Sequence, residues 1–341
     1  MPAVIYDIGG TYLRCAFVNQ SSELKSLKKI RIESFIHGLS FDDIWKNTIE
    51  AISNYEKSIA KYVDHDDPII ISFPGSITHP SIIENAPTLL GKATNIPDLA
   101  AILRKNTGRN VFIINDISAA AWYFSKSIKA DRFVVTTISS GIGSKIFDRT
   151  HPNGVIDNVP YAGEIGHVMV DFSPDALLCD CGGKGHLSAI SSGRGIERHA
   201  NLIAKKDQTH FKNSLCFSKF HGTPGSLTNE HHIVPAAKLN DEWALKIVSD
   251  CTEPLAKLLL SLIFAYGLNR IVIIGGFSLA IGNNYLQILQ NLLTEFCDYN
   301  LVKNNLVNMV ELGNYCEEAC LLGAAVYSEH IIQRKQSDRT R

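Results

Sequence analysis

The chain has 341 residues, 33 basic and 34 acidic side chains, and a formal net charge of −1. That length suggests two domains at about 150 residues each, and a chain 45% hydrophobic and 20% charged has the balance of a soluble globular protein. The absence of a basic bias argues against a dominant electrostatic nucleic-acid binder.

Residues 2–9 form a short apolar run that closes on Gly9-Gly10, which predicts a first strand and a tight turn; Leu13–Asn19 predicts its hairpin partner. Ile44, Ile49, Ile52 and Ile59 recur at helical spacing within 41–64. Residues 68–73 predict a buried strand ending in the Pro74-Gly75 turn. A helix over 96–105, a buried strand over 111–114 and a helix over 118–129 follow. A second series then opens with a strand over 132–138, a Ser/Gly turn at 139–144 and a returning strand over 145–148. Helices are expected over 195–206 and 241–266, the latter kinked at Pro254. Residues 271–274 predict a strand ending in Gly275-Gly276, and 284–296 and 317–330 predict helices, with Glu317-Glu318 a solvated start to the last one. Residues 205–231 are the most polar and irregular stretch and read as a surface excursion. Alternating strands and helices indicate an α/β protein with mostly covered sheets.

The N-terminus lacks the basic and apolar regions of a secretory signal. The longest apolar stretch, Leu255–Leu268, carries Lys257 and is shorter than the roughly 20 residues of a membrane span. With no export signal, eight cysteines point to reduced thiols and a cytoplasmic protein.

Asp7-Ile8-Gly9-Gly10-Thr11 follows a strand. Glycines there let backbone N–H groups approach phosphate oxygens, Thr11 adds a hydroxyl, and Asp7 is placed to hold Mg²⁺ through water. A plain hairpin turn explains this motif equally well when it stands alone. Ser139-Ser140-Gly141 and Gly275-Gly276 repeat the pattern after two further strands. Three such turns fit one nucleotide held between two lobes, at spacings that match neither a P-loop nor a dinucleotide fingerprint.

In this order the turns resemble those of the ROK family of sugar kinases and sugar-responsive repressors. The likeness covers nearly the whole chain. It runs through Asp7–Arg14, Pro74-Gly75, Ala86-Pro87-Thr88-Leu89, Asn115-Asp116 with the small residues after it, and Ser139–Gly143. It continues through Gly163-Glu164-Ile165-Gly166-His167, the segment from Cys179 to Ser188, and Leu321–Ala325. The resemblance implies a two-lobed actin-like ATPase fold of the ribonuclease H-like type, with a cleft between lobes. The small lobe would be 1–117 plus 322–341, and the large lobe 118–321, carrying a zinc-binding loop at 163–188.

It further implies ATP and Mg²⁺ at Asp7, Gly9, Gly10, Thr11, Ser139, Ser140, Gly141, Gly275 and Gly276. A sugar would meet Gly75, Asn115, Glu164, His167 and Ser188. Asp116 would be the base for the attacking hydroxyl, the rival role for it being that of a helix N-cap. His167, Cys179, Cys181 and His186 would bind a structural Zn²⁺.

Two positions depart from the family: His186 replaces a cysteine ligand, and Ser188 replaces a sugar-contacting glutamate. The second opens the acceptor to an amino sugar, an N-acetylated sugar or a cyclitol beside glucose. The implied activity is ATP-dependent phosphorylation of a primary hydroxyl by a homo-oligomer, a dimer by family analogy, with no nucleic-acid or membrane partner. The rival reading is a catalytically silent sugar-binding regulator. The family's DNA-binding regulators carry an N-terminal helix-turn-helix, for which a first strand at residue 3 leaves no room.

Overall fold

The computed structural model describes residues 2–19, 23–78, 81–93, 95–314 and 316–339. The chain divides into two compact units. The first comprises 1–129, 151–162 and 315–341; the second comprises 130–150 and 163–314.

In the first unit, β1 (Ala3–Ile8), β2 (Tyr12–Val18), β3 (Leu24–Arg31), β4 (Ile69–Phe73) and β7 (Val111–Asn115) form a sheet in the order β3-β2-β1-β4-β7. A small hairpin of β5 (Ser76–Thr78) and β6 (Ile82–Asn85) stands apart from it. β1, β4 and β7 are parallel neighbours. β1 and β4 are buried at every position, as apolar strands covered on both faces must be. One face packs a core that includes Tyr6, Ile8, Ile71 and Ile113 with the helices Phe41–Ile59 and Leu99–Thr107. The stripe Ile44, Ile52, Tyr55, Ile59 supplies the buried side of the first of these. The other face takes helices Asp116–Phe124 and Ala319–Arg339.

Helix Asp116–Phe124 falls in the first unit, whereas the sequence boundary at 117 separates it from β7. The reason is its small-residue face. A Cβ on Gly323 would stand 1.8 Å from the Ala119 carbonyl oxygen and 3.0 Å from the Tyr123 nitrogen, so the two helices meet nearly backbone to backbone. Gly323→Ala must therefore push them apart. Overpacking of this kind costs about 1–3 kcal/mol, and the expected fall in melting temperature is roughly 4–10 °C, read by calorimetry. An unchanged melting temperature would contradict the close approach.

In the second unit, β8 (Arg132–Ile138), β9 (Ile142–Asp148), β10 (Arg270–Ile274) and β11 (Val310–Leu312) are ordered β11-β10-β8-β9. β10 runs parallel to β8 and β11, and β9 antiparallel to β8. Val134, Ile138, Ile142, Ile271 and Ile273 face a helical core built chiefly on Gly193–Lys206, Glu242–Tyr266 and Asn283–Glu295. Glu242–Tyr266 is helical throughout, including Pro254. The polar stretch 205–231 is no surface excursion: Phe211, Cys216 and Leu227 are buried in this core, and short helices at Gln208–Lys212 and Leu215–Ser218 carry the first two.

Candidate functional site

Three chemically committed groups of the first unit stand at the carboxyl ends of the parallel strands β1, β4 and β7, where an α/β sheet presents ligands. Asp7 lies one residue from the end of β1, Gly75 just beyond β4, and Asn115-Asp116 at the junction of β7 and its helix. Gly75 has no space for a side chain, since a Cβ would lie 2.0 Å from the Asn85 carbonyl oxygen.

Asn115, not Asp116, caps the helix. Its Oδ1 accepts from the N–H groups of Ile117 and Ser118 at 2.9 and 3.2 Å, and its Nδ2 donates to the Gly75 carbonyl at 2.8 Å. That leaves Asn115 at most one amide N–H for a ligand. It also makes Asp116 the first helical residue, half-buried, with Oδ1 accepting from the adjacent Ile117 N–H at 2.9 Å. The cap that would account for Asp116 structurally is thus already supplied by its neighbour.

Asp7 belongs to a row of side chains in register across four strands: Ser72, Asp7, Arg14 and Lys29. The Ser72 hydroxyl donates to Asp7 Oδ1 at 2.9 Å, and Arg14 Nη1 donates to Oδ2 at 3.3 Å. Burial pushes the Asp7 carboxyl above its ordinary range, and these two donors oppose that. Arg14 Nη2 also pairs with Glu317 at 2.7 Å, and Lys29 pairs with the same carboxylate. Glu317 is exposed, as the sequence reading expects, but it is ion-paired, and the last helix begins after it, at Ala319. Arg14 is the residue that sequence reasoning passed over. An arginine inside the otherwise apolar YLRCAFV strand was the available signal. Gly9, Gly10 and Thr11 form the β1–β2 turn, with the Gly9 N–H donating to Tyr12 C=O at 2.9 Å and Thr11 exposed.

In the second unit the turns Ser139–Gly141 and Gly275-Gly276 sit side by side, because β8 and β10 are parallel with Thr137 opposite Ile274. Gly275 has φ 106°, and a Cβ there would lie 2.4 Å from the Ile138 carbonyl oxygen, so only glycine lets the turns approach so closely. Ser140, Gly141 and Gly276 are exposed.

Glu164 and His167 flank the short 3₁₀ turn Ile165–His167; Glu164 is half-buried and His167 exposed. One donor atom from each of His167, Cys179, Cys181 and His186 lies within 4.8 Å of the others, and Cys181 Sγ is 3.2 Å from His186 Nδ1. Ligand atoms about 2.0–2.3 Å from a tetrahedral zinc stand roughly 3.3–3.8 Å apart. A contraction of about 1.5 Å at most separates this cluster from such a site, and two thiolates with two imidazoles are a donor set suited to zinc. The Gly182 N–H donates to Cys179 C=O at 2.9 Å and the Cys179 N–H to Gly183 C=O at 2.7 Å, which folds the loop tightly. Asp180 anchors it by pairing with Arg194 at 2.8 Å and Arg198 at 3.1 Å. Those two arginines hold the Asp180 carboxyl below the usual range.

Ser188 does not stand in for a carboxylate. Its hydroxyl accepts from the Ile142 N–H at 3.3 Å, over Gly166, where a Cβ would lie 2.2 Å from that oxygen.

A family model described as the ROK family matches residues 4–330. A C(7)-cyclitol 7-kinase from Streptomyces hygroscopicus subsp. limoneus is 32% identical over 328 residues, covering 94% of this chain and 92% of its own. An N-acetylmannosamine kinase from Haemophilus influenzae (strain PittEE) is 25% identical and covers 98% of each chain. Among solved structures, a ROK hexokinase from Thermus thermophilus superposes with a TM-score of 0.71 at 21% identity, covering 98% of this chain and all of its own. The fold is that of the two-lobed actin-like ATPases.

Proposed function

This chain belongs to the ROK family, and from that premise we propose that it is an ATP-dependent kinase acting on a primary hydroxyl of a hexose-like acceptor, a seven-carbon cyclitol first among them. One observation carries the catalytic assignment: Asp116 opens the helix that follows a parallel strand, at the strand's carboxyl end, and the N-cap of that helix is Asn115.

Asp116 orients the acceptor hydroxyl and takes its proton as the oxygen bonds to the γ-phosphorus and the bond to the β,γ-bridging oxygen breaks. A carboxylate, with an ordinary pKa of about 3.9, does not deprotonate an alcohol in advance; it receives the proton as the alcohol acidifies in the transition state. Asp7 would hold the nucleotide's Mg²⁺ through water, and the ion would supply positive charge to offset that developing on the phosphates. Gly10 and Thr11 in the first unit, and the N–H groups of Ser140, Gly141 and Gly276 with the Ser139 and Ser140 hydroxyls in the second, offer donors to the phosphates, while Gly9 and Gly275 shape the turns that present them. Gly75 backbone, Asn115, Glu164 and His167 bind acceptor hydroxyls.

His167, Cys179, Cys181 and His186 would hold a zinc ion in a structural part, since four protein ligands leave no open position, and so would fix the chain around Glu164.

The cyclitol preference rests on two things. A C(7)-cyclitol 7-kinase is 32% identical to this chain. Ser188, engaged with Ile142, offers no carboxylate to an anomeric hydroxyl, and a carbocycle has no anomeric centre to bind. The test is phosphoryl transfer from MgATP to a panel of glucose, mannose, glucosamine, N-acetylmannosamine, N-acetylglucosamine and a C7-cyclitol, followed by ³¹P spectroscopy. The cyclitol is expected to exceed glucose in kcat/KM by at least about tenfold, the worth of one well-made hydrogen bond to a charged group. Binding without transfer to any acceptor would instead identify a silent sugar-binding regulator.

A further inference from the structure

The turn 139–141 is held at both ends by one short stretch of chain. At its exit the Ile142 N–H donates to Ser188 Oγ at 3.3 Å. At its entry the Gly193 N–H donates to the Ser139 carbonyl at 2.8 Å. These two anchors are fixed to each other, because the Ser192 hydroxyl donates to Ser188 C=O at 2.6 Å and accepts from the Gly195 N–H at 3.1 Å. Asn229 Nδ2 closes the far side by donating to Gly193 C=O at 2.7 Å.

The same stretch is tied to the metal-ligand loop at two points. His186 lies two residues before Ser188, and the Leu187 N–H between them donates to Val168 C=O at 2.9 Å. Asp180, between the two cysteines, grips Arg194 just after Gly193.

We propose that Ser188 is a positioning residue for the nucleotide, setting the 139–141 turn together with Gly193, so that occupancy of the metal loop and nucleotide affinity are linked. This rests on the reading of 139–141 as a phosphate turn. With the Ser139 N–H donating to Gly141 C=O at 3.0 Å and the Ile142 N–H held by Ser188, the turn keeps the Ser140 and Gly141 N–H groups and its two hydroxyls for phosphate. A residue that has left the acceptor's side of the chemistry thus works on the donor's. Linkage is reciprocal: whatever factor the metal adds to nucleotide affinity, the nucleotide adds to metal affinity.

The experiment measures MgADP binding by titration calorimetry on the full-length, zinc-loaded chain. Ser188→Ala is expected to weaken MgADP about 3- to 10-fold, the effect of one lost hydrogen bond, with zinc per chain unchanged. Ser188→Thr, which keeps the hydroxyl, restores affinity to within about twofold by the same reasoning. Stripping zinc from the wild-type chain weakens MgADP at least as much, and MgADP slows zinc loss to a chelator. Wild-type MgADP affinity in Ser188→Ala, with or without a lowered melting temperature, would overturn the inference alone. A zinc-loaded wild-type chain that does not bind MgADP would overturn the nucleotide reading itself.

Discussion

Asp116→Asn is expected to lower phosphoryl transfer by about 10²–10⁴-fold, the usual worth of a positioned proton acceptor, and to leave acceptor affinity within a few-fold of wild type. The substitution keeps the shape of the side chain and removes its charge and with it its capacity to take a proton. The helix should tolerate it, because the N-cap is Asn115 and both of its bonds to the Ile117 and Ser118 N–H groups survive. One carboxylate is lost from the first turn of that helix, about 0.3–1 kcal/mol, so the melting temperature should move by only a few degrees. Asn115→Ala is the informative opposite. It removes the cap, at about 0.5–2 kcal/mol, and frees the Gly75 carbonyl that Asn115 Nδ2 holds, so stability and acceptor binding should fall together. Steady-state turnover beside calorimetric acceptor binding separates the two. Near-normal turnover in Asp116→Asn would remove that residue from its assigned role.

Loss of the metal is expected to have the second-largest effect. Metal analysis should find about one zinc per chain, as four ligands imply, and Cys179→Ser combined with Cys181→Ser should abolish it. An ion present at a thousandfold over its dissociation constant stabilises a protein by about 4 kcal/mol. Its loss should therefore lower the melting temperature by roughly 8–16 °C. Because the ligating sulfurs must be thiolates, retention of zinc should weaken steadily as the medium is acidified. A metal-free preparation with the wild-type melting temperature and full activity would remove the four residues from this role.

Much of this architecture is legible in the residues, and the exceptions have physical causes. β1, β4, β7, β8 and β10 are short apolar runs closed by glycine, proline, a Ser-Ser-Gly turn or an Asn-Asp pair, and burial on both faces is what such runs require. β3 escapes notice because Leu24–Arg31 is an exposed edge strand rich in lysine, a composition that guards an edge against pairing while hiding its periodicity. The 205–231 stretch misleads in the opposite way. Its average polarity is high, yet Phe211, Cys216 and Leu227 are buried, with Leu215 and Phe220 packed against the same core, and short helices offer too few turns for a repeating stripe.

At the site, residue types announce the chemistry but not the division of labour. Asn115 and Asp116 are adjacent and each is a competent cap; only backbone direction at the end of β7 assigns the task to Asn115. Ser188 is visible as a departure from a family pattern, but its bond to Ile142 joins residues 46 positions apart, and no local signal in the sequence foretells it.

The pairing of helix Asp116–Phe124 with helix Ala319–Arg339 also governs how the chain is made. About 200 residues separate the two, so at 5–20 residues per second the ribosome needs roughly 10–40 s to deliver the second after the first. For that interval the alanine-rich surface of the first helix, and the face of β1 and β4 that the last helix covers, lack that partner. The second unit draws only on residues 130–150 and 163–314, so its contacts are complete before the first unit can close. Premature termination before residue 319 should therefore release a polypeptide with one finished half and one exposed sheet, a substrate for chaperones and proteases rather than a partly active kinase.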